Sequence, residues 1–419
     1  MPQLVRKVSF RAQKETLSSL DQTFAAGTPS LLRAMNERAV LEFVRRTGPV
    51  SRAQISRDSE LSKPTVSQAL AALLRSGLVR EAGRSSGGKG PTAVLYELDP
   101  TAGWVVGIDV GRDFVRAAIA NLEGQIVARR DERARVRSAK TLIEQIGRIA
   151  HGLAAEAGLK WRQITFATVG SPGVFEPSRG QVALAYALPG WGQPGLVEAV
   201  QRELGTRIAF ENDVNLAALG EQWTGLGKGV ANFVFLHVGT GVGAGLVLGG
   251  ELYRGSRGAA GEVAYMPVGA DPHDPQVRRR GAFEESSSAA AVVRVAREAG
   301  MTGSLTPKKV FAMAGRGDPV ALRVVETEAR RIALGLAVVS AVTDLELVIL
   351  GGGIGGNAEL LLDPIERELR ALSPLRPRLA ASALGDDAVL HGAVATALEI
   401  AQDRLFDPAR MLDRKELVV

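Results

Sequence analysis

Apolar positions change their spacing along the chain, and the changes divide it into parts. Between residues 36 and 47, Val40, Leu41, Phe43 and Val44 fall at helical spacing. Gly48-Pro49 closes that helix, Gly by offering a left-handed cap and Pro by blocking continuation. Ser51, with Gln54 three residues on, opens a short helix that carries Ala53 and Ile55 and ends near Ser59. Ser62 caps a third helix, in whose first turn Pro64 forfeits no hydrogen bond. Val66, Leu70, Leu73 and Leu74 give that helix its buried stripe, and Gly77 stops it. Two short strands follow, the second over 94–98, around a glycine-rich basic tip holding Arg84 and Lys89. Three helices and a two-stranded wing predict a winged helix-turn-helix over residues 31–98. Residues 1–30 read as an N-terminal arm or as an extra helix over 13–24, and the pattern fits both.

From Trp104 onward the spacing is that of strands. Residues 105–111 form an apolar run ending in Asp109 and Gly111, 114–120 a second strand, 141–157 a helix, and 164–170 a further strand. A similar order returns at 233–243, 245–248 and 345–350, each glycine-rich turn again following a buried strand. Two such units predict an α/β, two-lobed actin-like ATPase (ribonuclease H-like) scaffold of the sugar-kinase kind. Lobe 1 is expected over 99–220, completed by a C-terminal helix in 390–419, and lobe 2 over 221–389.

Charge sharpens the division. Residues 1–98 hold 15 Lys and Arg against 8 Asp and Glu, while the remainder holds 36 against 37. The basic excess therefore sits in the winged-helix part, where a nucleic-acid footprint requires it. The chain has no cysteine, so neither disulfides nor thiolate metal sites are available to it. There is no long apolar run and no signal-like core near Met1, so no membrane contact and a cytoplasmic location are expected.

The exposed start of the third helix carries the candidate DNA readers Ser62, Lys63, Thr65, Ser67 and Gln68. Gln pairs bidentately with adenine, and Ser and Thr read bases or hold phosphates. Arg52 and Arg57 on the preceding helix suit phosphate contacts, and Arg84 and Lys89 suit the backbone or the minor groove.

Three stretches carry a specific resemblance: Glu211-Asn-Asp-Val-Asn-Leu-Ala-Ala-Leu-Gly-Glu221, His237-Val-Gly-Thr-Gly-Val-Gly-Ala-Gly245 and Gly250-Glu-Leu-Tyr-Arg-Gly-Ser-Arg-Gly-Ala-Ala-Gly-Glu262. In this order behind a winged helix, over residues 31–400, the chain resembles the ROK family of repressors, open reading frames and kinases, above all its sugar-responsive regulators. The resemblance implies that Asp213 stands where the kinases keep their base and that Asn212 holds the sugar. Asp213 also suits a helix cap. Glu262 matches a sugar-contacting Glu. Three residues later the family's zinc-ligating His is replaced by Tyr265, and Ala282 stands where a cysteine is usual. Glu284 remains available to the ligand. No structural zinc is expected, since a four-coordinate site lacks its donors. Arg278-Arg-Arg280 reads as a solvated loop or as a substitute stiffener by ion pairing.

The first phosphate loop departs too. Where kinases resemble Asp-x-Gly-Gly-Thr, this chain has Asp109-Val-Gly111-Arg112-Asp113. A long cation and a carboxylate suit ATP phosphates poorly. The second loop, Gly239-Thr240-Gly241-Val-Gly243, is retained. The expectation is therefore a homodimeric or larger DNA-binding regulator, a repressor of carbohydrate genes. It would bind double-stranded operator DNA and a sugar effector, with no enzyme activity and no cofactor. An ATP-dependent sugar kinase with a fused DNA reader, and a ligand-independent regulator, are the alternatives.

Overall fold

The computed structural model describes residues 29–85, 92–176, 179–186 and 188–405. The expected helix or arm before residue 29, the wing tip with Lys89, and the last residues of the predicted C-terminal helix lie outside the described residues.

The chain opens with α1 (Pro29–Thr47), β1 (Val50–Ser51), α2 (Arg52–Asp58), α3 (Lys63–Arg75), β2 (Val79–Arg84) and β3 (Val94–Leu98). The three strands form one small sheet in the order β1-β3-β2. Helix α1 begins well before residue 36, and its first turns carry exposed Leu32 and Met35, which lie outside the apolar stripe. The stripe of α3 is Val66, Ala69, Leu70 and Leu73, with Leu74 only partly buried against it.

Lobe 1 follows with β4 (Trp104–Val110), β5 (Phe114–Asn121), β6 (Ile126–Arg133), α4 (Ala139–Glu156), β7 (Ile164–Ser171), β8 (Val174–Glu176), β9 (Gln181–Ala183), α5 (Leu196–Leu204), β10 (Ile208–Asn212) and α6 (Asp213–Thr224). Lobe 2 holds β11 (Phe233–Val238), β12 (Val242–Leu248), β13 (Glu251–Leu252), α7 (Pro275–Arg280), α8 (Ala282–Ser287), α9 (Ala289–Glu298), α10 (Pro307–Ala314), α11 (Pro319–Thr343), β14 (Leu347–Gly351), α12 (Gly352–Gly355), α13 (Ala358–Leu372) and β15 (Arg378–Ala381). The chain then returns to lobe 1 as α14 (Ala388–Leu405).

The two large sheets share one topology. Their orders are β6-β5-β4-β7-β10 and β13-β12-β11-β14-β15. In each, the first three strands are antiparallel and the fourth and fifth are parallel additions. The repeated strand pattern in the sequence is this duplication.

Helices α14 and α6 lie between the sheets. A Cβ on Gly107 of β4 would fall 2.7 Å from Val394, so α14 rests directly on the lobe 1 sheet. A Cβ on Gly245 of β12 would fall 2.6 Å from the Val214 carbonyl, so α6 rests on the lobe 2 sheet. The two helices cross where a Cβ on Gly392 would fall 1.8 Å from the Leu216 carbonyl and one on Gly220 would fall 2.2 Å from that of Ala388. Only glycine permits backbones this close. The domain junctions expected at 30/31, 220/221 and 389/390 thus fall inside α1, α6 and α14. Helical periodicity says nothing about which sheet a helix will cover.

The winged helix is built into lobe 1. Val40, Leu41, Ile55, Leu70, Leu78, Tyr96 and Leu98 belong to one buried cluster with Leu122, Phe166, Leu390, Val394 and Leu405. The Asp99 amide donates to the Leu78 carbonyl at 3.0 Å, and the Leu122 amide to that of Pro100 at 3.0 Å. Gln402 of α14 donates to the Leu122 carbonyl at 2.8 Å.

Candidate functional site

The expected DNA-reading surface is assembled as two capped helices. Ser51 Oγ accepts from the Gln54 amide at 3.3 Å, and Ser62 Oγ accepts from the Thr65 amide at 3.3 Å. Ser56 Oγ donates to the Leu61 carbonyl at 2.8 Å and closes the turn. Ser62, Lys63 and Gln68 are exposed, whereas Thr65 and Ser67 are partly buried. The Thr65 hydroxyl is already engaged with that of Ser62 at 2.8 Å. Arg52 departs from a simple phosphate contact: its Nη2 donates to Tyr96 Oη at 2.8 Å, and its guanidinium stands 5.5 Å from that ring's centre. Tyr96 lies on β3, so Arg52 joins α2 to the wing. Arg57 reaches Asp58 at 3.3 Å and stays largely exposed, and Arg84 ends β2 in solvent. Sequence reading missed Arg33, Asn36 and Arg75, which border a groove of about 250 Å³ between α1 and α3 together with Thr65 and Gln68. Arg33 and Asn36 lie on α1 and Arg75 ends α3, all three outside the apolar stripes that mark these helices in the sequence.

The second candidate site is the cleft between the lobes, at the start of α6. Its cap is Asn212 rather than Asp213: Asn212 Oδ1 accepts from the Asn215 amide at 3.0 Å. The Asn212 amide nitrogen also donates to the Gly173 carbonyl at 2.9 Å, which fixes its orientation toward the loop after β7. Asp213 is the first helical residue, with Oδ1 accepting from the Val214 amide at 2.9 Å. Glu211, which sequence reading left without a role, accepts from Asn215 Nδ2 at 2.9 Å and pairs with Arg254 at 2.7 Å. That pair reaches from lobe 1 to the loop after β13 and steadies the cleft.

Lobe 2 brings Glu262, Tyr265 and Glu284 to the same side. Glu284 Oε2 accepts from the Val242 amide at 3.1 Å, and Arg280 lies 3.7 Å from its other oxygen. Arg280 also approaches Glu285 at 3.7 Å, so one residue of the arginine run does form ion pairs. Burial raises the carboxyls of Asp213, Glu262 and Glu284. The charge of Asp213 adds to the effect on Glu262. Partly buried carboxyls gathered in this way favour a partner that offers them hydrogen-bond donors. Tyr265 remains 42% exposed, on the cleft side that also carries exposed Tyr186. Ala282 is buried, and a Cβ on Gly281 would fall 2.2 Å from the Ala264 carbonyl, so backbone packing closes the loop beside Tyr265.

The two glycine-rich loops expected at the phosphate positions follow β4 and β11. Asp109 is 5% exposed and accepts from Arg116 Nη1 at 3.0 Å. Burial outweighs that guanidinium and pushes Asp109 up to about 7. The Gly111 amide donates to the Phe114 carbonyl at 2.9 Å, while Arg112 and Asp113 are exposed. In the second loop the Gly239 amide donates to the Gly241 carbonyl at 2.9 Å, Thr240 is exposed, and Gly243 packs on Val214. Among the described residues no cluster of His, Asp or Glu is arranged to hold a metal ion.

Known proteins are similar to this chain in sequence and in fold. A xylose repressor of Caldicellulosiruptor bescii is 27% identical over 391 residues, covering 88% of this chain and 96% of its own. The crystal structure of a ROK family transcriptional regulator, a homolog of the E. coli MLC protein, superposes with a TM-score of 0.73 at 21% identity over 90% of this chain and 98% of the other. That of a ROK family glucokinase from Streptomyces griseus, in complex with glucose and AMPPNP, gives 0.60 at 27% identity over 71% of this chain and all of the other, the match being 100%. An IclR helix-turn-helix domain profile matches residues 30–83. Because the ROK family profile matches residues 105–400, the two lobes and the helices between them, this chain belongs to the ROK family.

Proposed function

We propose that the protein is a DNA-binding, sugar-responsive transcriptional repressor that binds its sugar without phosphorylating it. One observation carries this reading. The winged helix and the ligand-bearing lobe share a single buried core, so the reader cannot be indifferent to the state of the cleft. A ligand acts by preferring one arrangement of the lobes over another. Asn212, Asp213, Glu262 and Glu284 hold the sugar by its hydroxyls, with Tyr265 at its edge. Ser62, Lys63, Thr65, Ser67 and Gln68 meet the major groove, and the wing meets the backbone. Tyr265 and Ala282 offer no metal donors of the usual kind, so the loop is held by packing and by Arg280 rather than by zinc. A homodimer presents two readers to two half-sites of an operator. No described helix is long and apolar enough to cross a membrane, and the protein acts where the DNA is, in the cytoplasm.

Fluorescence anisotropy on DNA from upstream of the protein's own gene, titrated with a panel of sugars, tests the reading. Specific binding that one sugar shifts is expected. Specific binding that no sugar moves would leave a ligand-independent regulator. The retained loop Gly239–Gly243 and the glucokinase neighbour favour a second reading, a sugar kinase with a fused reader. Sugar-dependent ATP turnover that Asp213→Ala abolishes would establish it.

A further inference from the structure

The ROK kinases place a nucleotide next to their sugar, and the residues at that corner here do not fit one. Asp109 and Arg116 are direct cross-strand partners on β4 and β5. The Arg116 guanidinium stands 3.0 Å from Asp109, 3.6 Å from Asp131 and 3.9 Å from Asp386, and rests 5.3 Å from the centre of the Phe114 ring. A fixed cation thus lies against the carboxylate that heads the first loop, surrounded by three carboxylates and a ring face. A divalent metal at Asp109 would have to displace it against charge repulsion.

The other side of the corner is filled as well. His237 is the penultimate residue of β11, opposite Gly243 on β12 and Gly351 on β14. A Cβ on Gly239 would fall 2.8 Å from its Nε2, and one on Gly352 would fall 2.9 Å from its Cε1. The imidazole therefore takes up the space that these two glycine turns leave open. Glycine turns of this kind serve to bring backbone amides up to phosphate oxygens. Here the room is spent on a side chain of the protein itself.

We propose that Arg116 and His237 determine specificity by closing the cleft to nucleotides: the guanidinium stands in for the metal at Asp109, and the imidazole fills the phosphate space between the glycine turns. The inference rests on the reading of the protein as a non-phosphorylating regulator and names the residues responsible. The ligand cleft is thereby confined to its sugar half, lined by Asp213, Glu262 and Glu284, and suits an uncharged polyhydroxy ligand rather than a phosphorylated one.

Calorimetric titration of the full chain with magnesium and AMPPNP tests this. The unaltered protein is expected to give no binding heat. Arg116→Ala combined with His237→Thr is expected to bind the nucleotide at least about tenfold more tightly than the parent's detection limit. Since Arg116→Ala exposes carboxylates to one another, the single His237→Thr variant serves as the milder test, and circular dichroism melts establish that each is folded. Nucleotide binding by the unaltered protein overturns the proposal. So does a folded double variant that still binds none, which would move the obstruction to Arg112 and Asp113. Neither result touches the regulator reading, which is tested separately by sugar-shifted operator binding and by sugar-dependent ATP turnover.

Discussion

The Ser382 hydroxyl donates to the carboxylate of Glu221 at 2.5 Å, and Glu221 is fully buried. The same carboxylate accepts from the Leu226 amide at 2.8 Å and from the Leu384 amide at 3.2 Å. Leu226 lies on the segment leaving α6 for lobe 2, and Ser382 and Leu384 on the segment returning to α14. One side chain thereby ties together both crossings between the lobes. Glu221→Ala leaves two amides and a hydroxyl without their acceptor, and is expected to cost about 2–4 kcal/mol in urea denaturation. It should also weaken the effect of sugar on DNA affinity. Unchanged stability would mean the crossings are held by other contacts.

The contact between Gly392 and Leu216 allows a sharper test. With a Cβ only 1.8 Å from a carbonyl oxygen, Gly392→Ala must push α14 and α6 apart. The expected loss is about 3 kcal/mol or more, at the upper end of overpacking penalties. A denaturation midpoint equal to the parent's would show that the helices separate freely.

Asp109 makes stability depend on pH. Its carboxyl is raised by burial to about 7, so between about pH 4 and 7 the folded chain keeps a proton that the unfolded chain has released. Its contribution is fully present below that window and is lost as pH rises through 7. Asp109→Asn removes this titration, and the urea midpoint measured from pH 5 to 8 should then fall less steeply than in the parent. Identical slopes would place the sensitivity elsewhere, for instance at Glu399, another carboxyl that burial raises to about 7.

On the DNA side, Lys63→Ala and Arg84→Ala should each lower the salt slope of operator binding by about 0.9 if the residue neutralises one phosphate. Gln68→Ala should instead relax preference at one base position by about 1–3 kcal/mol. Equal weakening on every operator variant would remove Gln68 from the set of readers.

The winged helix was legible because caps act locally: Ser51 and Ser62 mark their helices by hydrogen bonds three residues long. The duplicated sheets were legible because buried strands are written as apolar runs. What escaped reading depends on partners distant in sequence. Arg116 looks like any polar residue of a strand until Asp386 is brought beside it, and His237 looks like the prelude to an intact glycine loop until Gly352 folds over it. Asn212 and Asp213 are equally good caps by type, and only the register of α6 chooses between them.

The continuous core between the reader and lobe 1 leaves the reader no slack. A domain on a loose tether searches for its half-site and tolerates variable spacing, at an entropic cost met on each binding event. A domain that shares its interior with the sensor has lost that freedom during folding. In a dimer of such chains the distance between the two recognition helices becomes a property of the protein rather than of the DNA. Operators whose half-sites are moved apart by a few base pairs should then lose binding abruptly, and no gradual series of weaker sites should exist between the right spacing and the wrong one.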